Sequence, residues 1–132
     1  RETRYPPAMI RPFLSALLFA AAPAVAAQDL AVPSGQPLQL MELRLEEAPA
    51  LARFRFLAPE LGARGFAAVA DDFRALCDGY ARPALAAEGR AVDRVVISLS
   101  EQEVPFGETA PGVAQFFEVF RLSDGSCIWE YF

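Results

Sequence analysis

Few side chains in this 132-residue chain could do chemistry. It has no histidine, its twelve basic residues are all arginines, and its two cysteines are Cys77 and Cys127. Without histidine the common serine and cysteine triads and the His-based metal sites are excluded. Two thiols and a set of carboxylates remain. Catalytic cysteine pairs are usually close in sequence, as C-x-x-C, and sit near a base. Cys77 and Cys127 are far apart, so they read as a structural disulfide. Carboxylate pairs can do acid–base work. Asp71 and Asp72 are adjacent, and on a helix their side chains diverge by about 100°. They read as a solvated face with Asp71–Arg74 and Arg74–Asp78 pairs. Glu101, Glu103 and Glu108 could converge on a hard cation, but their spacing matches no EF-hand-like loop. No catalytic residue, metal ligand or cofactor is assigned.

The chain's net charge is −5. Nucleic-acid binding needs a basic footprint, and attraction to an anionic bilayer needs cationic clusters, so both are disfavoured. Residues 9–27 have the order of a secretory signal. Arg11 is the charged start, residues 13–22 are apolar, and small residues end at Ala27. A membrane anchor would need about 20 uninterrupted apolar residues, and Pro12 and Pro23 bracket a shorter run. Cleavage is expected near Ala27, with no stable membrane anchor afterwards. Residues 1–8 read as an upstream extension or a mis-set start, because Met9 stands where a leader begins. The mature protein is expected to be periplasmic or secreted, in an oxidising compartment where the two cysteines pair.

The elements that position these residues follow from periodicity. Residues 28–37 carry two prolines, a glycine and a serine, and read as a flexible lead-in to one domain, 38–132. Residues 38–46 alternate, with Met41, Leu43 and Leu45 on one face and Glu42, Arg44 and Glu46 on the other. Residues 51–58 alternate again, Phe54 and Phe56 opposite Arg53 and Arg55. A hairpin would pair these arginines with the glutamates on its wet face. Residues 66–80 put Phe66, Val69, Ala70, Phe73, Leu76, Cys77 and Tyr80 on one helical face, and Asp71, Asp72, Arg74 and Asp78 on the other. Pro83 should end or kink that helix near Arg82, with a short second helical turn expected at 84–88 before Gly89. Residues 93–100 form a central strand with Val95, Ile97 and Leu99 together. Asp124-Gly125 predicts a hairpin turn between strands 113–122 and 127–132, with Leu122 facing Cys127 and Phe120 facing Trp129. The expected fold is an α+β two-layer sandwich, a mainly antiparallel sheet of about five strands with one main helix, in the order ββαβββ.

Residues 101–112 form the longest irregular segment of the mature chain, and long loops inside small domains often carry function. Phe106 lies between Pro105 and Gly107 with no evident core role, and Phe117 and Phe132 fall on the far face of the last hairpin. Either this face is an exposed apolar patch, or the loop folds over it. Val104, Phe106 and Glu108 are the candidate interaction residues.

The strings FRFLAP at 54–59, VISLS at 96–100, VPFG at 104–107 and CIWE at 127–130 together resemble a family of small secreted bacterial proteins of unknown function. The resemblance spans about residues 36–132. It implies a signal peptide, one compact domain and a cysteine pair at these positions, and it transfers no catalytic residue. The leading expectation is a non-enzymatic exported domain that binds an envelope protein. The alternatives are a carboxylate-dependent hydrolase or small-ligand or metal binder using loop 101–112, and a purely structural envelope component. Oligomeric state is not specified by the sequence.

Overall fold

Alternating apolar and charged residues make five strands, and the sheet they form has one face for a helix. The computed structural model describes residues 3–4, 8, 12, 15–20 and 30–131. Most of the expected leader, its cleavage site at Ala27 and Phe132 lie outside the described residues. Residues 15–20 are exposed irregular chain. No helix among the described residues is long and apolar enough to cross a membrane.

The elements are β1 (Gln39–Glu47), β2 (Ala50–Leu57), α1 (Leu61–Arg64), α2 (Phe66–Leu76), a π-helical turn (Cys77–Ala81), α3 (Arg82–Ala87), β3 (Arg94–Ser100), β4 (Gln115–Ser123) and β5 (Ser126–Trp129). The strands lie in the order β1-β2-β3-β4-β5. Three of the four pairings, β1–β2, β3–β4 and β4–β5, are antiparallel. β2 and β3 are parallel, and the helical segment is the crossover between them. The molecule is therefore the α+β sandwich that the periodicity predicts. The last hairpin has the expected register, Leu122 opposite Cys127 and Phe120 opposite Trp129. Asp124 and Gly125 both adopt positive φ, at 48° and 78°, as a two-residue turn matched to strand twist requires.

One face of the sheet carries Ala52, Phe54 and Phe56 from β2, Val95, Ile97 and Leu99 from β3, and Phe120 and Cys127 from the last hairpin. These pack against Val69, Phe73, Leu76 and Cys77 of the helical layer. Tyr80 meets Phe54 and Phe56 edge-on, at 6.1 and 5.6 Å between ring centroids. The Cys77–Cys127 disulfide is formed, with the two Cα atoms 6.2 Å apart and both residues buried. Beside it, Cys127 N–H donates to Asp78 Oδ1 at 2.9 Å. Among the described residues, every member of this core lies between Leu30 and Trp129, so protein starting at Gln28 retains them.

The structure corrects several local expectations. Asp72 is fully buried rather than solvated. Ser34 N–H donates to its Oδ1 at 2.9 Å, and Gln36 Nε2 and the Ser34 hydroxyl donate to its Oδ2. The reason is the segment expected as a lead-in. Residues 30–38 lie against the helical layer, with Gln36 and Leu38 buried and Leu30 and Val32 packed on the core. Arg64 Nη1 also donates to Ser34 O at 2.9 Å. Of the two ion pairs expected on this helix, Arg74–Asp78 is present at 3.6 Å. Phe66, expected on the buried face, is half exposed and packs against Phe73 and Phe116. The helical run continues past Pro83. The π-helical turn just before it resets the hydrogen-bond register, so Pro83 falls in the first turn of a new segment, where its missing N–H costs little. Finally, a register shift between Leu40 and Glu42 makes Met41 a bulge, and Leu40 rather than Met41 stands opposite Phe56.

Candidate functional site

Among the described residues, the face of the sheet away from the helix has no second layer. Its rows are read from the register. Glu42, Arg55, Ser98 and Phe117 lie side by side across four strands. The next row is Arg44, Arg53, Val96 and Val119, and the one after is Glu46, Leu51, Arg94, Arg121 and Ile128. Leu51, Val96 and Val119 form a small apolar cluster of their own. Phe117 remains 66% exposed.

The loop that follows β3 partly covers this face. Its base is closed by Glu101 N–H to Ala114 O at 2.9 Å and by Ala114 N–H to Glu101 Oε2 at 3.2 Å. Its middle is fixed by Arg55. Nη2 donates to the Val104 carbonyl while Nη1 donates to Glu42. Val104 is only 7% exposed. The tip is a turn in which Glu108 N–H reaches Pro105 O at 3.1 Å. Gly107 holds φ at 81° there, which a side chain would disfavour. The turn lays Phe106 over three guanidinium groups. Arg44 is 4.1 Å from the ring centroid, and Arg53 and Arg55 are each 5.6 Å from it. Such contacts contribute about 0.5–1 kcal/mol each at exposed sites.

The arginines are themselves oriented by carboxylates. Arg44 Nη1 donates to Glu42 Oε1 at 2.6 Å, and Arg53 Nε donates to Glu46 Oε1 at 2.8 Å. Hydrogen bonds from Arg55 and then Arg44 hold the Glu42 carboxyl below its ordinary pKa. At the other side of the face, Glu130 raises the pKa of Arg94 through a 2.8 Å hydrogen bond. Between loop and sheet lies a cleft of about 200 Å³. Arg53, Arg55, Val96 and Ser98 line it from the strands, Pro105 to Glu108 from the loop, and Gln115 and Phe117 from β4.

The candidate residues take distinct places. Phe106 is 45% exposed at the cleft wall, Glu108 is exposed at its lip, and Val104 is a buried anchor beneath the loop. The two possibilities for this face both hold in part: the loop covers β2 and β3 while Phe117 stays open. Glu101, Glu103 and Glu108 are not brought together. Glu101 closes the loop base, against Gly62 of α1, where an added Cβ would lie 2.6 Å from Oε1. Glu103 lines a separate recess with Met41 and Glu42, and Glu108 lines the cleft. Among the described residues no three of His, Cys, Asp or Glu could hold a metal ion. Arg44, Arg53 and Arg55 read in the sequence only as salt-bridge partners. The signal for their larger role is three arginines on one hairpin face together with a lone phenylalanine in a Pro-Phe-Gly turn.

Residues 15–132 match the model of the family of unknown function DUF6497, and the chain belongs to that family. No curated protein and no solved structure matches it.

Proposed function

We propose that this chain is an exported, non-enzymatic domain that binds a protein partner of the cell envelope through the open face of its sheet. The observation that carries this reading is the cleft in which Phe106 and Phe117 remain exposed beside oriented guanidinium groups. Aromatic and arginine side chains gathered in a partly desolvated pocket are the composition of an interface hot spot. What supports export is the order of charged, apolar and small residues at 9–27, together with a buried disulfide. The separation of the three loop carboxylates leaves the hydrolase and metal-binder alternatives without a converging site.

The test compares affinity capture from an envelope extract by protein starting at Gln28 and by its Phe106→Ala/Phe117→Ala variant. The double variant removes exposed rings outside the main core, so it should still fold, at a cost of about 1–3 kcal/mol from the lost contacts of Phe106 with the arginines. The expected result is a specific protein retained by the wild type and lost, by at least tenfold, with the variant. An unchanged set of captured proteins overturns the reading.

A further inference from the structure

The hydrogen-bonding groups of the cleft are unequally used, and the imbalance is chemically specific. Arg55 is committed, one Nη to Glu42 and the other to the Val104 carbonyl, and its side chain is mostly covered. Arg53 is not. Only its Nε is engaged, by Glu46, and neither Nη has a hydrogen-bond partner among the described residues. The Ser98 hydroxyl beside Arg55 and the Gln115 amide are likewise without side-chain partners among the described residues. The cleft thus offers a guanidinium edge, a hydroxyl and an amide beside two aromatic rings. A planar guanidinium edge matches a carboxylate. The rings match an apolar side chain.

Size narrows the class. At about 200 Å³ the cleft is smaller than the usual small-molecule pocket, about 300–1,000 Å³. It holds about one residue. On an extended strand an internal acidic residue and its apolar neighbour point to opposite faces, and a pair two residues apart on one face is spaced by about 6.6 Å, more than a one-residue cleft takes. The last residue of a polypeptide carries its carboxylate and its side chain on the same Cα. We propose that the cleft binds the C-terminal residue of the partner protein, an apolar or aromatic one, with its α-carboxylate on Arg53 and its side chain between Phe106 and Phe117. The proposal rests on the docking reading above and names what is docked. Glu108, the only carboxylate lining the cleft among the described residues, opposes the ligand's charge at the lip and moderates affinity.

The probe is N-acetyl-L-phenylalanine, titrated into ¹⁵N-labelled protein starting at Gln28 and followed by amide chemical shifts. The expected Kd is on the order of 1 mM for so small a ligand. Shifts should centre on Ser98, Phe106, Gly107, Gln115 and Phe117. N-acetyl-L-phenylalaninamide, which lacks the carboxylate, should bind at least tenfold more weakly. N-acetyl-L-aspartyl-L-phenylalaninamide, the internal acidic arrangement, should be equally weak. Arg53→Gln should weaken the acid at least tenfold, and Glu108→Gln should tighten it two- to fivefold. Equal binding of acid and amide, tighter binding of the aspartyl probe, or no shifts at about 20 mM acid overturns the proposal. The wild-type contrast between acid and amide does not depend on any variant folding. A failed titration alongside capture that still depends on Phe106 and Phe117 overturns the terminal-residue subsite and leaves the docking reading standing. Specific acid binding with unaltered capture does the reverse.

Discussion

Two adjacent aspartates show how strongly one residue's surroundings decide its worth. Asp71 is exposed, whereas Asp72 is buried and accepts hydrogen bonds from Ser34 and Gln36. Replacing Asp72 strands three donors in the interior, and each unsatisfied buried group costs about 1–3 kcal/mol. We expect Asp72→Ala to lose about 2–4 kcal/mol in urea unfolding, and Asp71→Ala to stay within about 0.5 kcal/mol of wild type. Equal effects would mean that the Ser34–Asp72 clasp contributes nothing. Glu42 makes a different, pH-dependent contribution. Hydrogen bonds from Arg55 and Arg44 lower its folded pKa below the ordinary carboxylate range. A carboxyl whose folded pKa is depressed contributes stability that is fully present above its unfolded pKa, and that stability is lost as pH falls through the folded value. Glu42→Gln should therefore lower the melting temperature at pH 6 and have a smaller effect at pH 3. A deficit that is constant across that range, in melts at matched ionic strength, would show that the ion pairs are not its source.

Elements are joined here by one covalent bond, between the start of the π-helical turn and β5. The bridge closes a loop of 50 residues, for which the chain-entropy model gives about 4 kcal/mol. We expect the Cys77→Ala/Cys127→Ala protein to lose about 2–4 kcal/mol in urea unfolding, with N-acetyl-L-phenylalanine binding unchanged, because the cleft is on the opposite face. Lost binding would show that the helical layer shapes the open face. The strands are legible because their signals are local, and the disulfide because the chain has two cysteines. Alternation in β2 separates Phe54 and Phe56 from Arg53 and Arg55, and Asp124-Gly125 sets the register of the last hairpin. The parts that were not legible depend on contacts distant in sequence. The hydrogen bonds to Asp72 span 36–38 residues, and an amphipathic pattern assigns a carboxylate to solvent unless a later-docking segment is known to cover it. The continuation past Pro83 depends on a π-helical turn that leaves no compositional mark. The cleft depends on where loop 101–112 lands. The sequence marks Phe106 as out of place but does not say that Arg44, Arg53 and Arg55 lie beneath it.

At the scale of the whole molecule, the sheet separates holding from binding. The helical layer is fixed at two places on one face, by the disulfide and by the segment 30–38, while the other face carries the loop and the cleft. The second fixture makes a test possible that the amino-acid pattern alone would not suggest. Residues rich in proline, glycine and serine ordinarily add little stability, so on composition a protein starting at Leu38 should be as stable as one starting at Gln28. The structure predicts otherwise. Loss of Ser34 and Gln36 removes three hydrogen bonds to Asp72 and opens it to water, and loss of Leu30 and Val32 uncovers apolar surface of the core. Hydrogen bonds contribute about 0.5–1.5 kcal/mol each, net of water, and apolar burial of two partly covered side chains contributes about 1–2 kcal/mol more. A small domain is stable by only about 5–15 kcal/mol in total. We therefore expect the protein starting at Leu38 to lose about 3–5 kcal/mol in urea unfolding. We also expect it to lose amide-exchange protection first in α2, around Asp72, rather than in β2 and β3. Restoring the segment in a protein carrying Asp72→Ala should recover less than half of that loss, because the clasp and not the chain's mere presence is what fixes it. Equal unfolding midpoints for proteins starting at Gln28 and Leu38 would show that residues 30–37 lie on the domain without holding it.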